Sequence, residues 1–473
     1  MDRNLTTFPP AAVDRRSDLC LPNRVSEVAE KRAERAILIS VATPDRDAVE
    51  VQDSLRELSE LATTAGAEIV EVVVQRRDSP DPACFIGRGK AAEIAQLSKE
   101  LECDLVIVDD ELAPTQRRKL EDAVGVRVID RTELILDIFA KRARTREGKL
   151  QVELAQLTYR LPRLSGLGSE LSRLGGGIGT RGPGETKLET DRRRIRRRIT
   201  ELKLKLEDLR KQRKVQRTLR DKSNLPVVAL CGYTNAGKSS LLDLLVRIHA
   251  MGVERFVNLE PGLRARELEH IEGSGVLIED RLFATLDPTV RRVSLPGGQE
   301  FLIVDTVGFI QRLPHELIAA FRATLDEITE ADLLLHVIDA SDSRLYAKIE
   351  EGVKTLSEIG ADAVPVIRVL NKIDLVSDSE RARLARDEDA VLISTLTTEN
   401  VDALLYRIAG FFERNRIRAR FLIPYGLGSV ENAIRTRGLV ESVEYRDSGV
   451  LIEARVGNEV ASKYSDYIVA REG

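Results

Sequence analysis

The stretch from Leu225 to Val246 reads LPVVALCGYTNAGKSSLLDLLV: a short apolar run, a turn framed by two glycines, and a leucine-rich amphipathic run. Leu225 to Cys231 predicts a buried strand, and Ser239 to Val246 a helix. Between them Gly232, Tyr233, Thr234, Asn235, Ala236, Gly237, Lys238 and Ser239 match G-x-x-x-x-G-K-[ST], in the strand-to-helix context that a phosphate-binding loop requires. Glycines let the backbone curl so that its N–H groups face phosphate oxygens, and the helix N-terminus adds a favourable dipole. Lys238 is expected to neutralise the β- and γ-phosphates, and the Ser239 hydroxyl to ligate Mg²⁺. A plain glycine turn ahead of a core helix would need neither side chain.

Two further strand ends carry related chemistry. FLIVDTVG closes an apolar strand with Asp305, Thr306, Val307 and Gly308, where a carboxylate reaches Mg²⁺ through water and the Gly308 N–H senses the γ-phosphate. VIRVLNKID ends with Asn371, Lys372, Ile373 and Asp374. Guanine offers N1–H and N2–H₂ donors that one carboxylate accepts together, whereas adenine presents an acceptor at N1, so Asp374 selects GTP over ATP. Asn371 and the Lys372 stem would hold the loop and the ring. Binding and Mg²⁺-dependent hydrolysis of GTP follow as the expected activity.

The remaining composition bounds the rest of the chain. At 473 residues it is too long for one core, and two to four domains are expected. Trp is absent and aromatics make up 4%, so stacking on bases would not dominate any RNA contact. Cys20, Cys84, Cys103 and Cys231 are widely spaced, with no C-x-x-C pair, which argues against a disulfide framework or zinc site and for a reducing cytoplasm. No apolar run approaches the roughly 18 residues needed to span a bilayer, and the N-terminus lacks a secretory apolar core. A monomer is expected.

The expected architecture is multidomain α/β. Residues 1–34 read as a flexible tail. Residues 35–140 read as a parallel α/β domain, because AILISVAT, EIVEVVV, DLVIVDD and VRVID alternate with helical stretches. Residues 141–223 read as a helical coiled hairpin: Leu150, Leu154, Leu157 and Leu161 form one stripe, and Ile195, Ile199, Leu202, Leu206 and Leu209 another. Between the stripes lies SGLGSELSRLGGGIGTRGPGETKLE, with six glycines from Gly175 to Gly184, read as a loop at the hairpin tip. Residues 224–416 form the G domain, and 417–473 a small α+β domain of a strand, a helix and two strands joined at Asp447, Ser448 and Gly449.

Charge is uneven. The whole chain is −4, yet from Asp191 to Arg220 fourteen Arg/Lys stand against four Asp/Glu. Arg192, Arg193, Arg194, Arg196, Arg197 and Arg198 are read as contacts to RNA phosphates, by shape rather than by base sequence. Arg173, Arg181 and Lys187 among the glycines would give the loop a slim cationic tip.

The run from GYTNAGKS through EDRLFATLDPT, DTVGFIQRLPHELIAAFRATL, DLLLHVIDAS and NKID resembles the HflX GTPases, as do FIGRGK and GGGIGTRGPGETKLE. The resemblance spans nearly the whole chain. It implies a large-ribosomal-subunit partner, its RNA near the peptidyl transferase centre, and dissociation or rescue of ribosomes under stress. It also implies that Phe283, Ala284, Thr285, Leu286 and Asp287 form switch I, with Thr285 a second Mg²⁺ ligand and catalytic beside Lys238, Asp305 and Gly308. Ser394, Thr395 and Leu396 would touch the guanine edge, although the family more often has Ala at the middle place.

Three features depart from a plain reading. RIHAMGVERFVNLEPGLRARELEHIE, between Val246 and Gly273, is extra relative to the family and is expected to bulge outward from the surface. Phe309 stands where Ras-type GTPases carry a water-orienting Gln, so unaided hydrolysis should be slow; His315 is the nearest titratable residue. Gly87, Arg88, Gly89 and Lys90 form a short Gly-Lys turn that could hold a second nucleotide. The rival functions are a GTP-switched RNA-binding or assembly factor without splitting activity, and an ATP-dependent RNA helicase working through the N-terminal domain.

Overall fold

The computed structural model describes residues 32–164, 183–220, 225–273, 288–309, 327–414 and 416–472. The N-terminal tail up to residue 31, the glycine loop up to residue 182, switch I and His315 lie outside the described residues.

The first sheet is parallel, in the order β2 (Ala67–Arg76), β1 (Glu34–Ala42), β3 (Leu105–Val108) and β4 (Arg127–Asp130). Its central strands are apolar on both faces, as a covered parallel sheet demands. Leu58 and Leu61 of α1 (Ala48–Ala65) and Ile135 and Phe139 of α4 (Arg131–Arg142) cover one face. Ala91 and Ile94 of α2 (Arg88–Glu100) and Leu120 of α3 (Pro114–Val124) cover the other. Local chemistry sets the ends of α1: the Asp47 carboxylate accepts from the Glu50 N–H at 2.6 Å, and Gly66 closes the helix at φ 94°.

The hairpin pairs α5 (Arg146–Arg163) with α6 (Pro183–Arg220). Val152, Ala155 and Tyr159 of α5 enter the N-terminal core, and the Tyr159 hydroxyl donates to Asp130 at 2.6 Å. On α6, Leu202 is fully buried while Leu204, two residues on, is exposed, in keeping with the expected stripe. The helix begins earlier than expected: Pro183 takes its first position, where a fixed φ and a missing N–H cost nothing, so Gly184 to Glu189 belong to the helix and not to the loop.

The G sheet runs β10 (Ala390–Leu392), β9 (Val366–Asn371), β8 (Leu333–Asp339), β5 (Val227–Cys231), β7 (Glu300–Asp305), β6 (Thr289–Ser294), and only the β6–β7 pair is antiparallel. After α7 (Lys238–Met251) the extra segment forms α8 (Val253–Asn258) and α9 (Pro261–Leu268). This corrects the expected outward bulge. Val253, Phe256 and Leu268 are buried in the G-domain core, and Arg264 stacks over Phe256 at 4.8 Å while bonding Asp402 of α12 (Val401–Arg414) at 3.2 Å. Apolar residues at helical spacing within the segment are what seat it.

The C-terminal sheet is antiparallel, ordered β12 (Leu439–Arg446), β13 (Gly449–Gly457), β11 (Arg416–Ile423), β14 (Ile468–Glu472). Its last strand, β14, is an addition to the expected strand-helix-strand-strand order. The helix α13 (Gly428–Arg437) and the short α14 (Asn458–Lys463) cover one face.

Candidate nucleotide site

The loop between β5 and α7 is held in a shape that only its glycines permit. Gly232 has φ 134°, and a Cβ there would lie 2.1 Å from the Val337 carbonyl oxygen of β8. Gly237 has φ 95°, and a Cβ would meet the Asn371 amide nitrogen at 2.2 Å. Lys238 is buried, and its ammonium donates to the carbonyls of Gly232 at 3.0 Å and Tyr233 at 2.6 Å. Burial lowers its pKa to about 8, against the opposing pull of Asp305. The Ser239 hydroxyl donates to the Asp305 carboxylate at 2.8 Å, across the ends of β5 and β7.

Beyond Asp305 the chain stays against the phosphate loop. Thr306 donates its hydroxyl to the Leu230 carbonyl at 2.6 Å. Gly308 approaches so closely that a Cβ would be 2.8 Å from Thr234 Cγ2 and 2.9 Å from Lys238 Nζ. Phe309 donates its N–H to the Gly232 carbonyl at 2.8 Å, and its own carbonyl accepts from Thr234 at 3.0 Å. Its side chain turns away into a cluster with Cys231, Tyr233, Ile328 and Leu334, meeting Tyr233 edge-on at 6.1 Å and the buried His336 of β8 at 6.3 Å.

At the other end, Asn371 ties two loops together. Its amide nitrogen donates to the Ala236 carbonyl at 3.0 Å, and its amide oxygen accepts from the Thr395 N–H at 3.0 Å. Lys372, at φ 63°, pairs with Asp339 at 2.8 Å, and the Ser394 hydroxyl donates to Asp374 at 2.6 Å. Ile373 is buried as the loop's anchor, and Leu396 is 77% exposed. The structure therefore brings together the residues read from all three motifs. Phe283, Ala284, Thr285, Leu286 and Asp287 lie outside the described residues. Sequence reasoning missed Asp339 as the partner of Lys372, although its place at the end of the apolar run LLLHVID was a signal.

The turn at Gly87 does not form a second phosphate loop. The Gly87 N–H is taken by the Gln75 side chain at 2.9 Å, and Lys90 pairs with Glu93 at 2.8 Å. On α6 the arginines divide. Arg193, Arg194, Arg196 and Arg197 are exposed, whereas Arg198 forms a two-bond contact with Glu153 of α5 at 2.7 and 2.9 Å.

A phosphate loop at the end of one strand, an Asp-x-x-Gly packed against it, and an Asn-Lys-x-Asp loop tied to the phosphate loop through Asn371 define a P-loop GTPase. Family models agree along the chain: one described as GTP-binding GTPase N-terminal matches residues 52–140, one for the GTP-binding GTPase middle region matches 142–220, and one described as 50S ribosome-binding GTPase matches 267–372. The GTPase HflX of Caldanaerobacter subterraneus subsp. tengcongensis is 46% identical over 437 residues, covering 92% of this chain and 94% of that one. That of Escherichia coli K12 is 43% identical over 416 residues, covering 84% and 90%. A solved GTP-binding protein from Sulfolobus solfataricus, in complex with GDP, aligns with 80% of this chain and 98% of its own at 22% identity and a TM-score of 0.42. The chain belongs to the HflX family of GTPases.

Proposed function

We propose that this GTPase binds the large ribosomal subunit and its RNA, and dissociates or rescues ribosomes under stress. The observation that carries the reading is the set of exposed arginines on α6, Arg193, Arg194, Arg196 and Arg197, on a helix braced against α5 and joined to the nucleotide domain. A row of exposed guanidinium groups suits a phosphate backbone, which it would grip without reading bases. The match to a family described as 50S ribosome-binding GTPase supports the same partner.

In this reading Gly232 to Ser239 cradle the phosphates, Lys238 bears on the β- and γ-phosphates, and Gly308 reports the γ-phosphate. Asn371, Asp374 and the Ser394 to Leu396 loop hold guanine. Ser239 and Asp305 offer hard oxygen donors on facing strand ends, a set that suits Mg²⁺ shared with phosphate oxygens and water. When bound, Mg²⁺ neutralises phosphate charge, and Thr285 is its further proposed ligand. With Phe309 turned into the core, water must be oriented by another group, and a partner surface is the proposed source.

Sedimentation of intact ribosomes with the protein and a non-hydrolysable GTP analogue tests this reading. Conversion to free subunits supports it. Co-sedimentation with ribosomes that stay intact would favour a GTP-switched RNA-binding factor instead.

A further inference from the structure

The loop from Ser394 to Asn400 is held in a costly shape. Thr398 has φ 62° and Asn400 φ 57°, and for a β-branched residue such as Thr398 the left-handed region is a genuine outlier. Such a shape persists only where the surroundings fix it. At its start the loop is tied to Asp374 through the Ser394 hydroxyl and to Asn371 through the Thr395 N–H. Thr397 donates its N–H to the Ser394 hydroxyl at 3.1 Å. With these two N–H groups used, the Leu396 N–H between them is left, among the described residues, to meet a base oxygen.

The far end of the loop is fixed from both faces of the G sheet. On one face lie α10 (Leu345–Glu358) and α11 (Asp378–Leu384), and Arg381 of α11 bonds Glu399 at 3.1 Å. On the other lies the extra segment, in one core with α7 and α12. Its Arg264 is only 5% exposed and donates to the Val257 carbonyl at 3.0 Å and the Leu259 carbonyl at 3.2 Å, at the end of α8, as well as to Asp402. Asp402 is the second residue of α12, two places beyond Asn400. The segment is also tied to α7, where Arg247 donates to the Leu268 carbonyl at 3.3 Å and to Asp243 at 2.7 Å. It therefore spans from the helix behind the phosphate loop to the helix behind the loop of Ser394.

We infer that Arg264 is a positioning residue for guanine: by holding Asp402 it fixes the first turn of α12, and so keeps the Leu396 N–H in place for guanine O6. The extra segment is the strut that carries this hold to α7. The inference rests on the reading of Ser394, Thr395 and Leu396 as a contact to the guanine edge. Asp374 reads N1 and N2 from a different loop, so the two contacts can be weakened separately.

The test measures the affinities of the full chain for GDP, 6-thio-GDP and inosine diphosphate. The first analogue replaces O6 by a weakly accepting sulfur, and the second lacks the N2 amine that Asp374 reads. Arg264→Met keeps much of the side-chain volume and removes the bond to Asp402. It should weaken GDP by about fivefold and narrow the preference for GDP over 6-thio-GDP by about the same factor, while the preference over inosine diphosphate stays within about twofold. Asp402→Asn, nearly isosteric and at a partly exposed position, should move the same ratio. The double variant should lose less than the product of the single effects, because both act on one bond. Equal weakening of all three nucleotides by both variants would mean general damage to the site and would overturn the inference, as would an unchanged ratio of GDP to 6-thio-GDP. If the unaltered protein showed no preference for GDP over 6-thio-GDP, the reading of the Ser394 to Leu396 contact would fall, and the inference with it.

Discussion

Arg198 of the long basic helix is locked to Glu153 of its hairpin partner by two nearly parallel bonds, 2.7 Å and 2.9 Å long. A guanidinium held in this fork-to-fork manner is spent inside the hairpin, whereas Arg193, Arg194, Arg196 and Arg197 face solvent and Arg192 is half-buried. Arg198 therefore does a different job from the exposed Arg193, Arg194, Arg196 and Arg197. Arg198→Ala should lower the thermal midpoint of the protein without altering the salt slope of RNA binding. Arg194→Ala or Arg197→Ala should leave the midpoint in place and reduce the slope of log K against log salt by about one each. Melting curves and binding at several salt concentrations check both halves.

Lys238 gives the nucleotide site a pH dependence. Burial lowers its ammonium to about 8, and phosphate oxygens beside it would raise it again. Nucleotide binding near and above that pH should take up a proton, and affinity should fall as the pH climbs through about 8. Calorimetry in buffers of different ionisation heat reads the uptake directly. In Lys238→Ala the uptake should vanish, and turnover should fall by roughly 10²-fold or more.

Asp374 accepts from the Ser394 hydroxyl at 2.6 Å, which fixes one carboxylate oxygen and leaves the group aimed by its loop. Asp374→Asn exchanges an acceptor for a donor on one side. Affinity for GTP should drop by roughly 10²-fold, while xanthosine triphosphate, which carries a carbonyl in place of the N2 amine, should gain. Competition binding with the two nucleotides decides it; equal loss for both would remove Asp374 from base recognition.

His336 is buried in β8, with Gly352 leaving room for its ring: a Cβ at that glycine would lie 2.4 Å from the imidazole. Burial, then the charges of Lys238 and Arg368, lower its pKa from 6.5 to about 4. Above the ordinary value both folded and unfolded chains hold it neutral. Below it the unfolded chain takes a proton that the folded chain refuses, so stability is lost as pH falls from about 6.5 toward 4. Between pH 7 and pH 5 this group should cost about 2 kcal/mol. Urea unfolding at the two pH values should show that loss, and His336→Gln should remove most of it.

The places of the phosphate loop, of Asp305 to Gly308 and of Asn371 to Asp374 were legible because each closes an apolar run. Strands β1 to β4 were legible for the same reason: a covered parallel strand is a continuous apolar word. What was hidden depends on partners far along the chain. Phe309 turns inward because Tyr233 and His336 wall its pocket, and neither is near it in sequence. The packing of Val253, Phe256 and Leu268 was readable in principle from helical spacing, but the many charges around them hid it. Strand β14 carries the polar residues Arg471 and Glu472, and its pairing with β11 is supplied by the fold. Nothing local in Arg198 distinguishes it from Arg197; Glu153 on the facing helix does.

The most direct test of the central claim is GTP turnover by the purified protein, with and without large ribosomal subunits, at two salt concentrations. Turnover of the protein alone should be slow, because Phe309 cannot orient water, and the subunits should stimulate it strongly, an effect that fades as salt rises. Turnover that stays slow and unchanged by the subunits at both salt concentrations would contradict the proposed partner, leaving a GTPase whose activating surface lies elsewhere.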